Sequence, residues 1–223
     1  MKKIFNSFTL KIIAILSMTI DHIGYFLFPK IRILRILGRV AFPIFAFLTA
    51  VSMQYSKNKI KHICVLLGCG LIFSLVASLF SHRLVPNVFI DLGLGALCCL
   101  LLFNKNNLSK IVIALIILYS ISPYNLTEYK IFGVVAVLLF YAFHSDIKLG
   151  LITYSVWTIL AVYLQKLSLF GMILVEGEYL LLPIIFIYFY NGQRGFYHPK
   201  WKYALYAYYP FHISILYLIR EVL

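Results

Sequence analysis

Between Ser17 and Phe47 the chain sets an aspartate, a histidine and three arginines, Asp21, His22, Arg32, Arg35 and Arg39, among apolar neighbours. Ionisable groups in such surroundings are costly to keep from water, and their default reading is a functional site. The imidazole of His22 titrates close to neutral pH and can take a proton from an amine or a hydroxyl, which is general-base chemistry. Asp21 can orient the ring and stabilise its imidazolium, or neutralise Arg35 or Arg39; the spacing leaves both open. Arg39, beside Gly38 and ahead of Pro43, sits deeper than Arg32 and calls for a role in the site. Arg32, by contrast, is as readily explained by snorkelling to headgroups.

Spacing gives the geometry of this group. Arg32, Arg35 and Arg39 stand three and four apart, hence on one helical face. Asp21 and His22 are neighbours and point about 100° apart on theirs. At most one of them looks straight at the arginines, and the other must find its partner elsewhere.

Other polar residues are candidates for supporting roles. Asn87 and Asp91 are four apart on one face, followed by Gly93 and Gly95, which allow a neighbouring helix to approach. Together they read as a polar stripe aimed into the bundle, as supporting partners of other groups. Tyr209-Pro210-Phe211-His212 places another histidine beside a helix-disturbing proline. In the stretch from Asn191 to Lys202, the charges of Arg194, Lys200 and Lys202 and the rings of Tyr197 and Trp201 are able to hold a phosphorylated nucleotide. An aromatic belt with positive-inside topology yields the same composition. Cys64, Cys69, Cys98 and Cys99 lie inside apolar segments without the paired spacing of a metal site, so no metal is expected. The sequon at Asn125-Leu126-Thr127 stands without other marks of a glycoprotein and is set aside.

The elements that must position these residues are membrane helices. Of 223 residues 63% are hydrophobic and 12% charged, mean hydropathy is +0.95, and apolar runs recur along the whole length. That pattern defines an all-α, polytopic integral membrane helix bundle. Stretches at about 8–28, 33–55, 60–80, 87–103, 111–122, 131–144, 149–165, 170–190 and 203–220 predict nine transmembrane helices. The first follows Met-Lys-Lys, but Lys11 and Asp21-His22 interrupt it and no small-residue cleavage site follows, so it reads as a retained helix. Without a linker, low-complexity run or repeat, residues 1–223 read as a single domain.

Net charge is +13. In this setting the lysines of short loops set topology and meet anionic lipid headgroups, and no nucleic-acid partner is implied. The loop bias puts the N-terminus, residues 57–61 and residues 191–202 in the cytoplasm, with Asp21, His22 and the arginines facing outward.

Several words of the sequence resemble the TraX family of membrane proteins, whose founding member acetylates the N-terminus of an F-type pilin. They are Leu10-Lys11-Ile12-Ile13-Ala14-Ile15, Asp21-His22-Ile23-Gly24 and Leu34-Arg35-Ile36-Leu37-Gly38-Arg39-Val40-Ala41-Phe42-Pro43. Asn87-Val88-Phe89 near Gly95, Tyr190-Asn191-Gly192-Gln193-Arg194-Gly195 and Tyr209-Pro210-Phe211-His212 continue the likeness in order along the chain. The family is in turn similar to the multi-helix membrane acyltransferases, in which an early histidine serves the transfer, and His22 matches that position. The resemblance implies a single transmembrane acyltransferase-like domain in the bacterial plasma membrane. It would carry acyl, expected to be acetyl, from acetyl-CoA as co-substrate to an amine or hydroxyl of a protein N-terminus, glycan or small molecule. On that reading Arg194, Lys200 and Lys202 hold the coenzyme, Arg39 or Asn87 the oxyanion, and Arg35, Asp91, Tyr209 and His212 substrate or the residues around it. A small transporter with an intramembrane Asp/His/Arg path, or a structural subunit, would use the same residue types.

Overall fold

A segment in hydrocarbon must satisfy its own backbone N–H and C=O groups, which a helix does internally. In the computed structural model the regular elements among the described residues are accordingly helices. The structure describes residues 3–104, 106–122, 124–167 and 177–222, the side chains of 199–202 and 205 excepted. The helices are α1 (Ser7–Phe26), α2 (Arg32–Gly38), α3 (Ala41–Tyr55), α4 (Lys59–Ser81), α5 (Val88–Leu101), α6 (Asn107–Ile121), α7 (Lys130–Ala142) and α8 (Ile147–Lys166). A 3-10 turn (Gly177–Leu181), α9 (Ile184–Tyr188) and α10 (Pro199–Val222) complete them. Asn6, Asn58, Asn87, Asn106 and Asp146 each cap a helix start by accepting from backbone amides.

Among the described residues, four segments are long and apolar enough to cross a membrane: α1, α2 with α3 (Arg32–Tyr55), α4 and α8. α5, α6 and α7 are apolar but have 14, 15 and 13 residues, about 20 Å each against a hydrocarbon core of about 30 Å. The predicted 33–55 span is broken at Arg39-Val40. Of the predicted 170–190 span, residues 170–176 lie outside the described residues and the remainder is the 3-10 turn and α9.

The chain forms two compact units, Met1–Phe45 with Glu176–Leu223 and Ala46–Val175. In the second, α5 is buried along most of its length. A Cβ on Gly93 would stand 2.5 Å from Leu67 of α4, and one on Gly95 2.7 Å from Val137 of α7, so both glycines are needed for close helix approach. Phe140 stacks on Tyr154 at 4.8 Å between centroids and meets Phe47 edge-on at 5.6 Å. α4 turns Ile63, Leu66, Gly70 and Ser74 inward and Ile72, Leu75, Leu79 and Phe80 outward. An apolar outer stripe of that kind is a lipid-facing surface.

In the first unit the N-terminal strand-like segment pairs with the residues after α9. Ile4 and Phe5 donate to the Phe189 carbonyl, and Asn191 donates back to Phe5 at 2.8 Å. Ser7 and Phe8 donate to the carbonyls of Gln193 and Arg194. Gly195 has φ +72°, and a side chain there would meet the Asn6 cap at 2.3 Å, so glycine is required twice over. The start of α1 is thereby held to the segment that leads into α10. Further along, Thr19 meets Tyr208 and His22 meets His212. The offset stays near 190 residues, so α1 and α10 run side by side in the same direction.

Candidate functional site

Asp21 and His22 are adjacent, yet their side chains go to different helices. The Asp21 carboxylate is shared between two arginines: Arg35 Nη1 donates to Oδ2 and Arg39 Nη2 to Oδ1, each at 2.5 Å. Arg35 Nη1 also reaches the Asp21 carbonyl at 3.2 Å, and Arg39 Nε the Arg35 carbonyl at 3.4 Å. Asp21 is therefore the shared counter-ion of both, one negative charge between two positive ones, and its carboxylate faces the arginines and not His22. The approach of α2 to α1 is close enough to demand glycine: a Cβ on Gly38 would lie 2.1 Å from Asp21 Oδ1. Ser17 Oγ adds donations to the carbonyls of Leu37 (2.6 Å) and Gly38 (3.2 Å). Pro43 falls in the first turn of α3, where its missing N–H has no helical partner to lose.

With the carboxylate committed, His22 turns to α10. Its Nδ1 lies 2.7 Å from Nε2 of His212, with the ring centroids 4.9 Å apart. His212 Nδ1 lies 2.7 Å from the carbonyl of Tyr208, one turn back on its own helix, and the Tyr208 ring stacks on it at 4.8 Å. Tyr209, buried, meets both imidazoles edge-on at 5.9 and 5.8 Å. The Tyr208 hydroxyl is 2.7 Å from Thr19 Oγ1, which donates to the Ile15 carbonyl at 2.8 Å. His22 itself is half-buried. Sequence reasoning missed Tyr208 and Thr19. The signal was their spacing, Thr19 to His22 by three and Tyr208 to His212 by four, each pair on one helical face.

The remaining predicted residues make other contacts. Arg32 reaches Glu178 at 3.9 Å with both side chains largely in the open, a weak pair. Asn87 and Asp91 belong to the second unit. Asn87, fully buried, caps α5 by accepting from Phe89 N and donates to the Gly70 carbonyl and Ser74 Oγ. Asp91 accepts from the backbone amides of Glu128 and Tyr129 at 2.7 and 3.1 Å, anchoring the entry to α7. Asn125 is buried, its amide donating to the carbonyls of Ser120 and Ser122 and its oxygen accepting from Thr127, which leaves the sequon inside the fold.

Arg194 lies over the Tyr197 ring at 3.4 Å, beside the start of α1. That is 15 residues along α1 from His22, or about 22 Å. The side chains of Lys200 and Lys202 lie outside the described residues.

These features define a polytopic helical membrane protein with a paired imidazole held beside two arginines that share one carboxylate. The TraX protein family model matches residues 7–220, and the chain belongs to the TraX family. It is 25% identical over 240 residues to the "Probable fimbrial assembly protein FimC, serogroup H1" of Dichelobacter nodosus, a match covering 95% of this chain and 94% of that one. It is 33% identical over 151 residues to an uncharacterised protein of Rickettsia prowazekii (strain Madrid E). There the match covers 64% of this chain and 58% of the relative, so it reaches less than two thirds of that protein's length. No solved structure matches the chain.

Proposed function

We propose that this chain is a membrane-embedded acyltransferase that moves an acetyl group from cytoplasmic acetyl-CoA to an amine or hydroxyl of an acceptor at the opposite end of α1. The observation that carries the reading is His22: a half-buried imidazole in an apolar hairpin whose neighbouring carboxylate is wholly engaged by two arginines. Among the described residues it has no acidic partner to hold its proton permanently, which suits a positioned base. In the reaction the acceptor N–H or O–H loses its proton to His22 as its heteroatom attacks the thioester carbonyl carbon. The C–S bond then breaks, and the same proton passes to the departing thiolate, so that acylated acceptor and free coenzyme A result.

The charge and rings near Arg194, with Lys200 and Lys202, suit the coenzyme's phosphates and base. Arg194 stands beside the end of α1 away from His22, so the pantetheine arm would follow the helix to bring the acyl group to the base. A fimbrial assembly protein among the relatives makes a pilin-like N-terminal amine the first acceptor to try.

Purified protein in detergent, given labelled acetyl-CoA and membrane or surface fractions, tests this directly. Transfer should occur and should fall on the order of 100- to 10,000-fold in His22→Gln while the protein still inserts, the usual contribution of one positioned base. A transporter built on the same polar centre would leave acetyl-CoA intact, and that result would sink the proposal.

A further inference from the structure

His22 and His212 are in direct hydrogen-bond contact, and the acceptor at the far side of His212 fixes where the protons lie. A carbonyl oxygen only accepts, so the 2.7 Å contact to Tyr208 requires His212 to carry its proton on Nδ1. A neutral His212 then has a bare lone pair on Nε2. His22 Nδ1, 2.7 Å from that lone pair, must supply the proton between the two rings. A neutral His22 has only one proton to give, and its Nε2 is left bare.

We infer that the base is a couple, His22 with His212, in which the Tyr208 carbonyl sets the proton order through His212 and presents Nε2 of His22 as the nitrogen that takes the acceptor's proton. His212 acts as a positioning residue: it fixes the tautomer of His22 and shares the charge when the ring becomes imidazolium. The couple does the work that a carboxylate does in a Ser-His-Asp triad, where the third group holds the correct tautomer. Here the carboxylate next door is unavailable, since each of its oxygens holds an arginine. The cycle balances within the pair. Nε2 of His22 receives one proton from the acceptor, the added charge spreads over Nδ1–H···Nε2, and Nε2 returns that proton to the thiolate.

Two structural features keep the geometry. The Thr19 hydroxyl spends its proton on the Ile15 carbonyl, so the Tyr208 hydroxyl donates to Thr19 and ties α10 to α1 one turn below the rings. Tyr208 also stacks on His212 nearly parallel, at 12°, which holds the imidazole plane. The inference rests on the acyltransferase reading only for its catalytic consequence; the proton order itself is a property of the resting protein.

The test therefore has a spectroscopic and a kinetic arm. In the full-length protein labelled with nitrogen-15 histidine, assigned by single His→Gln variants, mildly alkaline conditions should show protonated Nδ1 and bare Nε2 on both His22 and His212. A protonated Nε2 on His22 in its neutral state would overturn the inference. In His212→Gln the new side-chain carbonyl can still accept from His22 Nδ1, so the tautomer should persist and kcat should stay within about 10-fold. In His212→Leu, with thermal stability checked, kcat should fall about 10- to 100-fold with KM for acetyl-CoA unchanged, the scale of losing an outer partner that orients a reactive ring. A folded His212→Leu protein with parental kcat and an unaltered His22 tautomer would refute it. Should the parent protein prove inert towards acetyl-CoA while both rings show the stated tautomers, the function proposed above fails and the proton order stands.

Discussion

Replacing Asp21 by Asn removes one charge and leaves the volume nearly unchanged, so the outcome reads the electrostatics of the α1–α2 hairpin. In the parent the two carboxylate oxygens hold Arg35 and Arg39 at 2.5 Å each, and their side chains are 18% and 5% exposed. Arg39 cannot recover its hydration without opening the hairpin. Breaking a buried ion pair by removing one partner costs about 3–5 kcal/mol because a charge is left uncompensated. Arg35 lies nearer water and stacks beside Tyr25 at 5.3 Å, so its share is discounted for screening. The expected loss is thus about 3–5 kcal/mol, dominated by Arg39. For a chain of this size that is roughly 6–20 °C in Tm, or a collapse in the yield of monodisperse protein. Thermal unfolding in detergent monitored by size exclusion measures it. Adding Arg39→Met to Asp21→Asn should recover much of the loss, since the stranded charge goes as well. An Asp21→Asn protein of parental Tm but without activity would refute the reasoning, because the carboxylate would then be serving His22 and not the arginines.

Arg39→Lys keeps the charge but cannot reach both Asp21 Oδ1 and the Arg35 carbonyl. Stability should drop by about 1–3 kcal/mol, with activity falling in proportion; lost activity at unchanged Tm would show that Arg39 touches substrate. Neutralising Arg194, Lys200 and Lys202 together should raise KM for acetyl-CoA with little change in kcat, as when binding of a remote part of the donor is lost, and an unchanged KM would remove this loop from the donor site. In a chain whose four cysteines are replaced by alanine, cysteines at positions 4 and 193 should label from one side and a cysteine at position 30 from the other. Labelling of 4 and 193 from opposite sides would contradict the pairing of Phe5 with Tyr190, and labelling of both from outside would reverse the proposed orientation.

The fold class was legible because burial in lipid leaves a one-dimensional trace. Hydropathy along the chain already marked most of the helices, though not the break between α2 and α3 or the caps at Asn6, Asn58, Asn87, Asn106 and Asp146, which the structure shows. The opening constellation was legible too, since Asp21, His22, Arg35 and Arg39 lie within one hairpin and helical geometry alone forced the acid and the imidazole apart. What spacing could not decide was which of the two faced the arginines. That depends on how deeply α2 settles on α1, which Gly38 permits only in three dimensions.

His212 stands 190 residues from His22, and periodicity within a helix carries nothing about the register between two helices so far apart in sequence. That register follows from the Phe5–Tyr190 pairing, the Gly195 turn and the Thr19–Tyr208 bond, each a contact between distant parts of the chain. Asn87 and Asp91 show the converse. A polar stripe aimed into a bundle looks the same in sequence whether it serves chemistry or caps helices, and here their side chains hold α5 to α4 and to the entry of α7. The sequence determined which residues were costly enough to need a partner; only the packed helices determined which partner each one took, because that choice is made by contact across elements and not along them.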